Sequence, residues 1–210
     1  MKAVIFDWSG TLVDNFPAYE KVIAEMFLKL GRQPLTTDEL RNNFTLPYMK
    51  FWHRFFPDLS KEAQDELFME CTKGKVLCKP FDGIVPILEG LKRKGIIEFV
   101  VSSDNHKDLM QEAEFNNMSG YFSAMYGGVY EKQEKLREII CENGFRDVIY
   151  VGDTSGDVEA GKSAGVYTIG VTWGFQTQEL VVESNPDFVA NDVDELKGIL
   201  LNFCGVYPGK

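Results

Sequence analysis

Short apolar segments alternate with helical patterns along this chain, and this alternation most limits how it can fold. The apolar, β-branched segments are residues 3–6, 99–101, 148–151, 166–171 and, more weakly, 188–190. Apolar residues fall at helical spacing in residues 84–94, 108–116, 134–142, 158–164 and 193–203. Strands alternating with helices of this length predict βαβ units and a parallel sheet. Because the strands are apolar throughout, we expect helices on both faces of the sheet, an α/β fold of three layers.

Residues 15–79 follow a different pattern. They contain no clear strand, and their apolar residues fall at helical spacing before Gly31, a typical helix end, while Ser60 is placed to begin another helix. The stretch also holds several large aromatic side chains: Phe44, Tyr48, Phe51, Trp52, Phe55 and Phe56. We expect a helical domain at 15–79, inserted into a sheet domain made of residues 1–14 and 80–210.

The overall charge and the cysteines limit the classes of partner. The 210 residues carry a formal net charge of −10, whereas nucleic-acid-binding proteins need a basic surface. The four cysteines show no CxxC spacing, so we expect reduced thiols rather than disulfides or a zinc site. We find no signal-peptide pattern and no apolar run of membrane-spanning length. We expect a cytoplasmic protein that binds neither nucleic acid nor membranes, either a monomer or a homodimer.

Polar residues follow three of the predicted strands at the point where each strand ends. Asp7 follows the first strand, Ser102 the second and Asp153 a third, with Asp157 four residues further on. Because the carboxyl ends of parallel strands meet at one edge of a sheet, these side chains should converge. Converging carboxylates repel each other unless a cation binds them, and a few carboxylates plus water suit Mg²⁺. With Mg²⁺ present, Asp7 could attack phosphorus as a nucleophile.

Four motifs, in order along nearly the whole chain, resemble those of the haloacid dehalogenase superfamily, in its group with a helical cap after the first motif. They are DWSGTLVD at residues 7–14, VVSSDN at 100–105, Lys132, and GDTSGD at 152–157. The segment AGKSAGVYTIGVTWGF at 160–175 is similar to phosphoglycolate-phosphatase-like members. The resemblance implies a Rossmann-like parallel-sheet core, a cap domain at 15–79, and hydrolysis of a small phosphorylated metabolite.

The same resemblance implies the residues of a metal site. Asp7 would be the nucleophile and a Mg²⁺ ligand, and the backbone carbonyl of Ser9 would be a second ligand. Asp153 would be a third ligand, and Asp157 would support the metal shell. Thr11 would form a hydrogen bond with Asp7.

Other motif residues would bind the phosphate. By the resemblance, Ser102 and Lys132 would hold the phosphoryl oxygens, with Ser103 as a further contact. Lys135 lies one turn beyond Lys132, so either lysine could reach inward. We prefer Lys132, because apolar residues follow it at the helical spacing seen in similar phosphatases.

Ser9 departs from the usual pattern of phosphatases in this superfamily. In those enzymes the residue two positions after the nucleophile is a second aspartate, which protonates the leaving group and then activates the hydrolytic water. A serine hydroxyl cannot do this work near neutral pH. Loss of such a group costs on the order of 10²–10⁴ in rate, so a phosphatase that is slow, or that favours a good leaving group, is one interpretation.

Two other interpretations stay open. Phosphonoacetaldehyde hydrolases have DWAGT where this chain has DWSGT, and they form a Schiff base with a cap lysine. Lys50 and His53 have a spacing like that family's lysine–histidine pair, although the same segment is also typical of an ordinary amphipathic helix. Alternatively, the chain is a relative that binds a phosphorylated ligand with weak turnover or none. We expect a Mg²⁺-dependent phosphatase acting through Asp7. The candidate substrate contacts from the cap are Tyr48, Lys50, Trp52 and His53.

Overall fold

The computed structural model describes residues 1–72 and 77–205. Its strands are β1 (Lys2–Phe6), β2 (Ile97–Val101), β3 (Ala124–Tyr126), β4 (Asp147–Gly152), β5 (Tyr167–Val171) and β6 (Phe188–Ala190). They form one sheet in the order β3-β2-β1-β4-β5-β6, with every pairing parallel. The predicted α/β fold with a parallel sheet is confirmed. The short edge strand β3 was not predicted, because its three residues, AMY, include no β-branched side chain.

Ten helices accompany the sheet within the described residues. They are α1 (Phe16–Lys29), α2 (Thr37–Asn43), α3 (Met49–Phe55), α4 (Lys61–Cys71), α5 (Ile84–Arg93), α6 (His106–Phe115), α7 (Lys132–Asn143), α8 (Ser155–Ala164), α9 (Gln178–Glu183) and α10 (Val193–Phe203). The short helices α2 and α9 were not predicted from the sequence. None of the helices in residues 1–72 and 77–205 has the length and apolarity that a membrane span requires.

The two faces of the sheet carry separate apolar clusters. Along β1, Val4 and Phe6 face one cluster, which includes residues of α5, α6 and α10. Ala3 and Ile5 face the other, which includes residues of α7 and α8. This alternation follows from the two-residue period of a strand. Because both faces are covered, β1 and β4 are buried in the centre of the fold up to their carboxyl ends.

Helices α1–α4 lie between β1 and α5 and pack around their own aromatic cluster. The two connections to the sheet run side by side, since Val13 forms a bridge with Pro80 and the Asp14 N–H donates to the Lys79 carbonyl at 2.9 Å. The division of the chain into 1–14 with 80–210 and 15–79 stays a prediction. We refer to residues 15–79 below as the cap.

Glu98 is an acidic residue inside the sheet. It lies on β2, its side chain is 1% exposed, and neither carboxylate oxygen has a hydrogen-bond partner within the described residues. Burial raises the pKa of Glu98 to about 8, and the positive charge of Lys92 opposes this only in part. The side chain is therefore mainly protonated at neutral pH.

Glu98 should make the free energy of unfolding fall as the pH rises from about 4.5 to about 8. In this window the unfolded chain loses the Glu98 proton while the folded protein keeps it. The free energy of unfolding therefore falls by about 1.4 kcal/mol for each pH unit. Glu98→Gln stays neutral and should flatten this part of a urea-denaturation profile. The exposed Glu114 on α6 offers the control, Glu114→Gln. An unchanged slope in Glu98→Gln would contradict the prediction.

Candidate active site

Three buried carboxylates lie together at the carboxyl ends of β1 and β4. Asp7 directly follows β1, Asp153 directly follows β4, and Asp157 lies in the first turn of α8. One oxygen from each lies within 4.8 Å of the others, and the residues are 5%, 1% and 0% exposed. The register that pairs Phe6 with Val151 brings the two strand ends level. We call these three residues the acidic cluster.

Lys132 supplies a positive charge to the acidic cluster. Its Nζ lies 3.0 Å from Asp7 Oδ1 and 2.7 Å from Asp157 Oδ1. Although burial alone would lower the pKa of the Lys132 ammonium, the charges of Asp157 and Asp7 raise it above its ordinary value. Lys135 instead pairs with Glu138 at 2.6 Å. Of the two lysines that the sequence left open, the structure brings Lys132 to the cluster.

One ammonium does not balance three buried carboxylates. Burial raises the pKa of Asp7 well above its usual range, Lys132 opposes this, and the charges of Asp157 and Asp153 add to it. Burial and the charge of Asp157 raise the pKa of Asp153 to about 7. A divalent cation would relieve the repulsion, and an all-oxygen set of carboxylates suits a hard cation such as Mg²⁺. The residues present therefore fit a divalent metal ion.

The expected hydrogen bond between Thr11 and Asp7 is wrong. The Thr11 hydroxyl donates to Asp153 Oδ1 at 3.0 Å, and not to Asp7, whose Oδ1 accepts the Trp8 N–H at 2.8 Å and lies beside Lys132. The reason is the turn at Gly10, whose φ of +74° redirects the loop toward β4. A Cβ at Gly10 would lie 2.5 Å from Asp153 Oδ2, so only glycine permits this close approach.

Asp157 uses both of its oxygens within the protein. Oδ1 accepts hydrogen bonds from Lys132 at 2.7 Å and from the Tyr150 hydroxyl at 2.9 Å. Oδ2 accepts from the Thr154 N–H at 3.2 Å and from its hydroxyl at 2.5 Å, which completes a capping box at the start of α8. These contacts fix the orientation of Lys132, which lies against the nucleophile candidate Asp7.

Ser9 lies beside a carboxylate that sequence reasoning missed. The Ser9 hydroxyl donates to Asp104 Oδ2 and accepts from Asn15 Nδ2 at 2.6 Å. The same Asp104 oxygen accepts from the Ser102 hydroxyl at 3.2 Å. Asp104 lies in the loop after β2, two residues beyond Ser102, and could have been found by asking which polar residues of that loop face the loop after β1.

A cavity of about 300 Å³ opens onto these groups between the sheet domain and the cap. From the sheet domain it is lined by Asp7, Ser9, Ser102, Ser103, Asp104, Lys132 and Asp153, among others. From the cap it is lined by residues that include Tyr19, Phe44, Tyr48, Gln64 and Phe68. The Ser103 hydroxyl donates to the Val129 carbonyl at 3.0 Å. The structure thus brings all the predicted core-domain residues except Thr11 and Asp157 to the wall of one cavity, and these two support it from behind.

Lys50 and His53 do not line this cavity. Both are solvent-exposed on α3, and His53 Nε2 lies 3.0 Å from the Leu59 carbonyl oxygen. Phe51 and Trp52 are fully buried in the aromatic cluster of the cap. Burial of these two rings turns Lys50 and His53 toward solvent. Of the four predicted cap contacts, the structure brings Tyr48 to the cavity and not Lys50, Trp52 or His53.

The sequence model of one protein family, the haloacid dehalogenase-like hydrolases, matches residues 4–171 of this chain. The phosphoglycolate phosphatase of Synechococcus elongatus is 25% identical over 204 residues, which cover 93% of this chain and 95% of that protein. The phosphoglycolate phosphatase of Aquifex aeolicus is 28% identical over 212 residues, which cover 96% of this chain and 98% of that protein. The similarity therefore extends over the sheet domain and the cap.

Solved structures share the same architecture. A predicted phosphatase from Clostridium acetobutylicum superposes with a TM-score of 0.84 at 25% identity, over 96% of this chain and 98% of that one. A haloacid dehalogenase-like family protein from Streptococcus pneumoniae superposes with a TM-score of 0.80 over 94% of this chain and 97% of that one. At 22% identity, the second likeness shows the fold alone.

Mg²⁺ should raise the melting temperature of this protein, because it would offset the repulsion within the acidic cluster. At a free concentration 100 times its Kd, the gain in unfolding free energy is about 2.7 kcal/mol. Asp153→Asn should abolish the shift between MgCl₂ and EDTA in scanning fluorimetry. Asp147→Asn, at the opposite and exposed end of β4, is the control and should keep it. An equal shift in both variants would place the ion elsewhere.

Proposed function

This chain belongs to the haloacid dehalogenase-like hydrolases, and on that premise we propose that it is a Mg²⁺-dependent phosphatase of a small phosphorylated metabolite. The observation that carries the proposal is the Asp7 carboxylate, which is buried, held by Lys132 and the Trp8 N–H, and open to the cavity. The named activity of the relatives at 25% and 28% identity supports phosphate-ester hydrolysis over the other reactions of hydrolases.

The metal ion would be held by chain oxygens at the carboxyl ends of β1 and β4. We assign Asp7, the backbone carbonyl of Ser9 and Asp153 as its ligands, with Asp157 as the group that supports them. When bound, Mg²⁺ would neutralise charge on the phosphoryl oxygens.

Asp7 acts as the nucleophile in this proposal. One of its carboxylate oxygens forms a bond to phosphorus while the ester P–O bond breaks, which gives an aspartyl-phosphate and the alcohol. The Lys132 ammonium and the Ser102 hydroxyl stabilise the charge on the phosphoryl oxygens. A water molecule then attacks phosphorus, the Asp7 carboxylate is restored, and inorganic phosphate leaves.

Two proton transfers remain to be assigned, one to the departing oxygen and one from the attacking water. In relatives a second aspartate does this work, and this chain has Ser9 at that position. We assign the transfers to Asp104, because its Oδ2 is hydrogen-bonded to the Ser9 hydroxyl and its side chain lines the cavity. A carboxyl group can donate the proton in the first step and take it back in the second.

Asp7→Asn should abolish phosphate release, since an amide oxygen cannot form the acyl phosphate. The assay is Mg²⁺-dependent release of inorganic phosphate from a panel of phosphate monoesters, with EDTA as the blank. Asp14→Asn, an exposed aspartate of the same motif, is the matched control and should retain activity. Turnover in Asp7→Asn would remove Asp7 from the chemistry.

Asp104→Asn should lower kcat by about 10²–10⁴, the usual loss for a general acid–base group. Ser9→Asp should restore much of the activity in the double variant, because it returns a carboxyl group to the position used by relatives. The measurement is kcat for the wild type, both single variants and the double variant. The loss should be smallest for esters with good leaving groups, which need little protonation. A uniform loss across leaving groups, without rescue by Ser9→Asp, would show that Asp104 only supports the loop.

The other two interpretations make different predictions in the same assay. Release of phosphate from phosphonoacetaldehyde alone, lost in Lys50→Ala, would move the chemistry to the cap lysine. Thermal stabilisation by inorganic phosphate without turnover of any ester would make this a binding protein. We expect Lys50→Ala to be fully active, because Lys50 lies outside the cavity.

A further inference from the structure

The cavity wall is strongly acidic. Within the described residues, Lys132 is the one basic side chain that lines it, against five aspartates: Asp7, Asp65, Asp104, Asp108 and Asp153. Lys132 is engaged by Asp7 and Asp157, so its charge is directed to the phosphate end. Asp65 lies 2.5 Å from Lys61, and Asp104 holds the proton for the leaving group in the proposed mechanism. The negative charge of Asp108, which also lines the cavity, is left without a basic partner on this wall. A second negative charge on the substrate would be repelled in this partly enclosed site.

The cap supplies an aromatic wall. The Tyr19 ring contacts the Phe44 ring at a centroid distance of 5.8 Å and the Phe68 ring at 5.9 Å, and all three residues line the cavity. Burial and the charge of Asp104 raise the pKa of the Tyr19 hydroxyl above its usual range, so this side chain stays neutral. Such a surface favours an apolar body in the leaving group.

Resting on the proposed phosphatase function, we propose that the leaving group of the substrate is uncharged or cationic and has an apolar body. The cavity volume, about 300 Å³, equals that of about ten water molecules, so the substrate is small. Phosphoglycolate, the substrate named for the curated relatives, carries a carboxylate on its leaving group and does not meet this description.

The test of charge uses two substrates of equal length. Phosphoethanolamine and phosphoglycolate each carry two carbons beyond the ester oxygen, with an ammonium in one and a carboxylate in the other. We expect kcat/KM to favour phosphoethanolamine by about tenfold or more, which corresponds to about 1.4 kcal/mol. Asp108→Asn should narrow the ratio. A preference for phosphoglycolate would overturn the inference while leaving the phosphatase function intact.

Binding separates failure of this inference from failure of the proposed function. Asp7→Asn keeps the cavity but should not turn substrates over, so calorimetry with this variant measures recognition directly. Tighter binding of phosphoethanolamine than of phosphoglycolate supports the inference even if no ester is hydrolysed by the wild type. The opposite order of affinities rejects it, whatever the activity.

Discussion

The concentration of negative charge at the carboxyl ends of β1 and β4 is the constraint on which the rest of this structure depends. Asp7, Asp153 and Asp157 are almost completely buried, and an uncompensated buried charge destabilises a folded protein by several kcal/mol. Lys132 compensates part of this charge, and hydrogen bonds to Asp153 and Asp157 compensate more. The apolar packing of the two central strands must offset the rest of this destabilisation. On our proposal, a cation and a phosphoryl group make use of this charge.

The cap is tied to this cluster through one loop. The Phe175 N–H donates to Asp153 Oδ2 at 2.6 Å, and its ring packs against the Phe44 ring of the cap at a centroid distance of 5.0 Å. The next residue, Gln176, donates to the Phe44 carbonyl and accepts from the Ser155 N–H, each at 2.6 Å. Any movement of the cap over the cavity therefore acts on the residues that hold Asp153. The position of the cap and the orientation of the acidic cluster therefore depend on the same contacts.

Features set by short stretches of chain were predictable from the sequence. The central strands are continuous apolar segments, and Asp7, Ser102 and Asp153 follow them directly, so their convergence is a consequence of parallel pairing alone. Features set by long-range geometry were not. Thr11 contacts Asp153 because of the backbone turn at Gly10, and Lys50 faces solvent because the rings beside it on α3 are buried. The turn leaves no periodic signal in the sequence, whereas the rotation of that helix agrees with the amphipathic pattern that the sequence left open as the alternative for Lys50.

The pairing of Ser9 with Asp104 shows how the same limitation affects an inference about chemistry. From the sequence, Ser9 is a missing carboxylate, because only positions close to Asp7 along the chain are compared. In the fold, β1 and β2 are adjacent, with Phe6 paired to Val100, so the loops that follow them face each other across the cavity. A carboxyl group contributed by the second loop therefore lies against the position where relatives carry theirs. On our proposal, the chemistry depends on which carboxyl group reaches the departing oxygen, and not on which strand supplies it.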